Sequence, residues 1–320
     1  MAHNPVRVLE LHAWRTLRAV IVDVLLSVVV PVFAVIFVGA LLARRFELEV
    51  GPITRLAIHA AIPALVFRTL STMSLAPEAV ARLLAGYVLL LLVIAALAWS
   101  IGTKWAPAAR RAFVATCLFG NAANMFLPIS LFAFGEAGLE RALVLYVATA
   151  LLMFSLGPAL VGRATGMRQA LRTVAAFPVL WAALAGLAAS ATGAAMPLGL
   201  DRAVGLLADA AVPLVLLTLG VQVGRARAVL PLGVNYMAVA LKLVVAPAVG
   251  YGAGMLAGLR GVDLAVLTLL AAMPTAINLA MLAVEFRGDA EQVSRTVLLG
   301  TLAAVITLPV VLALLAPLMP

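Results

Sequence analysis

Ten apolar stretches follow one another along this chain, separated by short polar gaps. They fall near residues 24–43, 56–72, 83–103, 112–134, 142–162, 173–192, 203–223, 233–257, 264–284 and 296–317. A membrane-crossing helix needs roughly 20 mostly apolar residues, so the pattern predicts an all-α integral membrane protein of ten transmembrane helices. The gaps are too short to hold a soluble domain. Composition agrees. The chain is 65% hydrophobic and 11% charged, with a mean hydropathy of +1.18, whereas soluble domains are about half apolar and a quarter charged.

The net charge of +9 sits in the gaps. Odd-numbered gaps carry Arg44, Arg45 and Arg55; Lys104, Arg110 and Arg111; Arg163, Arg168 and Arg172; Arg225 and Arg227; and Arg287 and Arg295. Even-numbered gaps carry only Arg82, Arg141, Arg202 and Arg260. The positive-inside rule then places the odd gaps in the cytoplasm and both termini outside it, in an inner (plasma) membrane. Residues 1–22 oppose that orientation with Arg7, Arg15 and Arg18. With Leu9, Ala13 and Leu17 on one stripe, they read as a basic interfacial helix. Basic gaps between spans are a topology signal, which excludes nucleic acid as the partner. His3, His12 and His59 are scattered and Cys117 is the single cysteine, so no metal site is expected. No nucleophile elbow, zinc-protease motif or phosphate loop is present. The chain therefore reads as no enzyme, with no cofactor and no ATP-driven step.

Two segments repeat. His59-Ala60-Ala61-Ile62-Pro63 returns as Asp209-Ala210-Ala211-Val212-Pro213, 150 positions later (209 − 59). Phe134-Gly135-Glu136-Ala137 returns as Phe286-Arg287-Gly288-Asp289-Ala290 with one insertion. Two halves of five spans each must cross the membrane in opposite directions, as secondary transporters do. The expected organisation is an N-terminal extension (1–22), a first five-helix repeat (23–162), a cytoplasmic basic loop (163–172) and a second repeat (173–320).

The fourth and ninth spans carry helix breakers beside amides: Gly120-Asn121-Ala122-Ala123-Asn124-Met125-Phe126-Leu127-Pro128 and Met273-Pro274-Thr275-Ala276-Ile277-Asn278. Proline removes a backbone donor and clashes with the preceding turn. In hydrocarbon the freed groups need other partners. Paired Pro and Asn in corresponding spans of inverted halves point to broken helices around a wet cavity, with half-helix N-termini aimed at an anion. Taken singly, a proline is a common kink and an asparagine a bridge between helices. Ionisable groups inside spans are costly. Lys242 reads either as an attractor for an anion or as a cation bonded to broken-helix carbonyls. Asp209 and His59 occupy equivalent positions in the repeat. Asp209 is expected to be a buried proton or cation site, and His59 a core histidine that could titrate. Arg68 reads as a snorkelling residue.

These residues resemble the auxin efflux carrier family. Its fourth-span motif is similar to Gly-Asn-Thr-Gly-x-x-Gly-x-Pro, matched here by Gly120, Asn121 and Pro128, with departures at Ala122, Ala123 and Phe126. Met273-Pro274-Thr275-Ala276 with Asn278, Pro213 with Leu219-Gly220, and Lys242 with Pro247 also match. The resemblance covers roughly 27–318. It implies two inverted five-helix repeats in a fold similar to the bile-acid:sodium symporters, with broken helices four and nine crossing. Helices 1, 2, 6 and 7 would form a scaffold, and 3–5 and 8–10 a transport unit. The implied function is secondary transport or uniport of a small organic carboxylate by elevator-type alternating access. A sodium-coupled symporter of a larger organic acid and a channel or receptor-like protein are the alternatives. Asn121, Asn124, Asn278, Pro128 and Pro274 would contact or shape the substrate site, with Lys242, Asp209 and His59 handling charge. The coupling ion is a proton or sodium, and a homodimer through the scaffold is implied.

Overall fold

The computed structural model describes residue 22 and residues 25–46, 48–162, 167–194, 196–225 and 232–318. The interfacial helix expected over residues 1–22, and Arg163 and Arg227, lie outside the described residues. Twelve helices are described, with no strands among the described residues. They are α1 (Leu25–Phe46), α2 (Val50–Ser71), α3 (Pro77–Ile101), α4 (Pro107–Leu118), α5 (Ala122–Val161), α6 (Met167–Ala175), α7 (Pro178–Thr192), α8 (Leu198–Arg225), α9 (Gly233–Leu256), α10 (Gly261–Ala271), α11 (Ile277–Glu285) and α12 (Ala290–Leu318). Prolines open α3, α4 and α7 at positions where the missing N–H has no intrahelical partner to lose. Gly193, at φ 64°, ends α7 in the left-handed conformation.

Seven helices (α1, α2, α3, α5, α8, α9 and α12) are long and apolar enough to cross a membrane by length and composition, and α7 and α10 are shorter apolar helices. The protein is thus an all-helical integral membrane protein. Large apolar side chains such as Phe37, Leu92, Leu206, Ile306 and Leu314 stand exposed on its surface, where lipid rather than water suits them. The predicted fourth and ninth spans are split into pieces, because the chain unwinds at 119–121 and 272–276. The predicted gap between spans four and five is tight: α5 is two helical segments that meet at a kink at Gly135 (φ 64°, ψ −159°), where the backbone leaves the helical conformation. The predicted sixth span is shortened to the 15 residues of α7.

Four helices contain a widened, π-helical turn: Leu25–Val29, Ala57–Ala61, Ala122–Phe126 and Leu241–Val245. Each ends two residues before a proline, namely Pro31, Pro63, Pro128 and Pro247. The pyrrolidine ring would collide with the carbonyl four residues back. Widening the preceding turn relieves that clash and shifts the bonds to i→i+5, as in Ile62 N–H to Ala57 O, Leu127 N–H to Ala122 O and Ala246 N–H to Leu241 O.

Packing is densest within two groups, which meet along α5. Helix α1 lies against α8, and α2 lies against both α7 and α8; α3 packs on α4 and α9, α9 on α10 and α12, α10 on α5, and α11 on α12. The α1–α8 contact is backbone to backbone. A Cβ added at Gly220 would stand 2.1 Å from Ile36 O, and one at Gly39 2.5 Å from Leu217 O. Gly220 and Gly224 are four residues apart on α8, the small-residue spacing that lets membrane helices approach closely.

Candidate functional site

The two unwound segments meet. Gly120 and Thr275 form an antiparallel bridge. Asn121 N–H donates to Pro274 O at 2.7 Å, and Ala276 N–H to Phe119 O at 2.9 Å. In a continuous helix Thr116 O would receive the Gly120 N–H. Here the Thr275 hydroxyl donates to it instead, at 2.8 Å. A buried backbone polar group without a partner costs about 2–7 kcal/mol depending on its surroundings. The breaks in the two helices therefore complete one another: each supplies the donors and acceptors that the other exposes.

Asn121 caps the second half of the broken helix. Its Oδ1 accepts the Asn124 N–H at 3.2 Å. Pro128 is the second residue beyond the widened turn, and Pro274 lies in the unwound segment itself. Asn121 is 3% exposed, yet its Nδ2 has no hydrogen-bond partner. It lines a chamber of about 20 Å³ shared with Tyr146, Thr149 and Asn278. A neighbouring chamber of about 10 Å³ is lined by Asn124, Asn278, Tyr146, Thr54 and Thr218. The structure thus brings all three asparagines to adjoining spaces, with Asn278 and Tyr146 common to both.

Lys242 lies on the other side of Gly120. It is 4% exposed, on the widened turn of α9. Its Nζ stands 3.4 Å from the place a Cβ would take on Gly120, so glycine leaves room for the ammonium beside the bridge. With Gly120, Cys117, Tyr87 and Thr149 it lines a third chamber of about 10 Å³. No carboxylate lies within ion-pair distance of it among the described residues.

Asp209 and His59 are not part of this cluster. Asp209 is exposed rather than buried, with its side chain 73% accessible, and it bonds Arg68 Nη1 at 2.9 Å. It faces a wide cleft rather than a packed interface. His59 is likewise exposed, on the outer side of the α2 turn. Arg68 is an ion-pair partner and not a free snorkelling cation. Thr275, Tyr146 and Thr149 escaped the sequence reading as site residues. Hydroxyl residues are ordinary in membrane helices, so nothing in their spacing marks them.

The membrane transport protein family model matches residues 163–312. Nearly the whole chain is similar to two transporters. An "Uncharacterized transporter" of Methanothermobacter thermautotrophicus is 28% identical over 305 residues, covering 92% of this chain and 95% of that protein. A "Putative malonate transporter" of Rhizobium meliloti is 28% identical over 299 residues, covering 88% and 92%. Alignment over most of each chain joins the motif resemblance and the helical membrane architecture: the second half of the chain is similar to the membrane transport protein family, and nearly its whole length to proteins named as transporters.

Proposed function

We propose that this protein carries a small organic carboxylate across the membrane by alternating access, as a secondary transporter or uniporter. The observation that supports this most is the Asn121 amide nitrogen: a buried donor without a protein partner, in a chamber shared with Asn278 at the meeting point of two broken helices. Neutral amide donors with a nearby ammonium suit a carboxylate, which accepts on both oxygens. The name of the Rhizobium meliloti relative makes malonate-like acids the first to try.

The finer architecture belongs to the same proposal: ten helices in two inverted five-helix repeats, related to the bile-acid:sodium symporter fold. Packing of α2 on α7 and α8, and of α1 on α8, is denser than the contacts of these four helices with α5 and α12, which supports a scaffold beside a moving unit. The chambers at the crossing, about 10–20 Å³, hold about one water molecule each. A malonate-sized acid needs their walls to part, and rigid-body movement of one unit past the other would do this. Asn121, Asn124 and Asn278 would touch the solute, Pro128 and Pro274 hold the breaks open, and Lys242 balance its charge. Coupling to protons, or none, fits better than a two-sodium site, since Asp209 is exposed and paired. The inner-membrane location, cytoplasmic odd-numbered gaps and a dimer through the scaffold complete the proposal.

The test is uptake of labelled malonate and a panel of mono- and dicarboxylates into proteoliposomes, with and without sodium or pH gradients. A carrier saturates and shows trans-stimulation, and Asn278→Ala abolishes flux while folded protein remains in the membrane. Flux that never saturates would indicate a channel. Wild-type transport by Asn278→Ala would remove the site assignment.

A further inference from the structure

A second cavity, about 700 Å³, opens beside the crossing. That is a size suited to a small-molecule ligand. One wall comes from α2 and α8, with Leu65, Arg68, Asp209 and Val212; the opposite wall comes from α5 around Gly135, with Leu131, Glu136, Glu140 and Arg141. The same three helices line the Asn124–Asn278 chamber through Ile62, Asn124 and Thr218. The separation along each helix is short: Ile62 to Leu65, Asn124 to Leu131, and Thr218 to Val212. At 1.5 Å per residue this is about 4–11 Å of helix. A partition one to two turns thick, floored by Leu65, Leu131 and Val212, thus divides a roomy cleft from the amides.

The cleft's charges decide what it can hold. Three carboxylates against two guanidiniums give no field that gathers anions. Most of these groups are engaged. Glu140 accepts the Ser74 N–H at 2.5 Å and the Leu75 N–H at 3.2 Å. Arg141 bonds Asp263 and the Ala137 carbonyl. Arg68 differs. Both of its hydrogen bonds leave from Nη1, to Asp209 at 2.9 Å and to Gly205 O at 3.5 Å, and its side chain is 47% exposed. Asp209 therefore fixes one arm of the guanidinium, while Nε and Nη2 remain as a pre-oriented fork on the cleft wall. Such a fork matches a carboxylate in a way an ammonium cannot.

The geometry points to this cleft as the solute's vestibule, with Arg68, steadied by Asp209, as the residue that docks the anion's carboxylate before it reaches the crossing. This rests on the carrier reading above. The partition is the inner boundary of the vestibule, and its floor is reachable from one side of the membrane only.

The experiment uses the whole carrier with a cysteine at the floor (Val212→Cys); the native Cys117 is fully buried. A membrane-impermeant maleimide is applied to intact cells and to inside-out vesicles. Labelling is expected from one side alone, and malonate should slow it. In proteoliposomes Arg68→Gln should raise the malonate KM about tenfold, equivalent to ~1.4 kcal/mol, with kcat within about twofold, and Arg68→Lys should fall between. Protection of Val212→Cys by malonate should vanish when combined with Arg68→Gln. Equal labelling from both sides, or none, overturns the vestibule. An unchanged KM in Arg68→Gln overturns the docking role while leaving the carrier intact. A wild type that moves no carboxylate overturns the carrier reading and this inference together.

Discussion

Replacing Thr275 by valine isolates the closure of the two broken helices. The side chain keeps its shape and loses one hydroxyl. Thr275 is 1% exposed and Thr116 fully buried, and the lost bond, 2.8 Å long, is the one that stands in for the missing Gly120 N–H. Leaving a buried acceptor without its donor costs about 1–3 kcal/mol. Thr301→Val is the matched control. Thr301 is also buried and its hydroxyl bonds Val297 O at 2.8 Å, but that carbonyl keeps its own helical N–H partner. The same chemical change there should cost no more than about 0.5 kcal/mol, since it orphans nothing. Unfolding of the purified protein in detergent, followed by tryptophan fluorescence, reads the difference. At about 2–4 °C per kcal/mol for chains of 150–250 residues, and less for a longer one, Thr275→Val should melt a few degrees below wild type and Thr301→Val within about a degree. Equal losses in the two variants would refute the claim that the breaks depend on each other for hydrogen bonds.

Glu140→Ala removes the acceptor for the Ser74 and Leu75 amides and a partner of Arg141 at 3.7 Å. Hydrogen bonds to a charged group are worth about 1.5–3 kcal/mol, so this variant should lose that much stability in the same melt, and a wild-type melting point would show the link at 72–76 to be held otherwise. Gly220→Val drives a side chain into the Ile36 carbonyl. It should leave little monodisperse protein in fluorescence-detected size exclusion, while Gly252→Ala, whose new methyl meets nothing within 4 Å, should keep the wild-type profile or gain about 0.4–1 kcal/mol. Asn278→Ala should keep its fold and lose flux, as set out above.

The sequence made the membrane class, the broken segments and the asparagines legible, because each rests on local chemistry: apolar length, proline at a forbidden place, amides where lipid cannot serve them. Pairing was not legible. Thr275 and Thr116 lie 159 residues apart, and no spacing rule links a hydroxyl in one span to a carbonyl in another. Asp209 misled for a related reason. An acid inside an apolar run looks buried, but α8 turns it into a cleft where Arg68 meets it. The repeat misled in a smaller way. His59-Ala60-Ala61-Ile62-Pro63 folds with a widened turn, whereas Asp209-Ala210-Ala211-Val212-Pro213 stays in α8 with Pro213 inside the helix. Similar residues thus take different backbones, because neighbours and not only the proline decide how the clash is relieved.

The widened turns also set the phase of the lipid-facing stripe. A turn that takes in one residue beyond the α-helical number rotates every later side chain by about 100° relative to a straight α-helix. In α1, α2, α5 and α9 the oily meridian before the proline is therefore not the one after it. Deleting a single residue from such a turn would return it to the α-helical number and leave the downstream faces where they are, whereas the same deletion in a straight stretch of the helix would swing its whole downstream half by about 100°, turning core positions toward acyl chains.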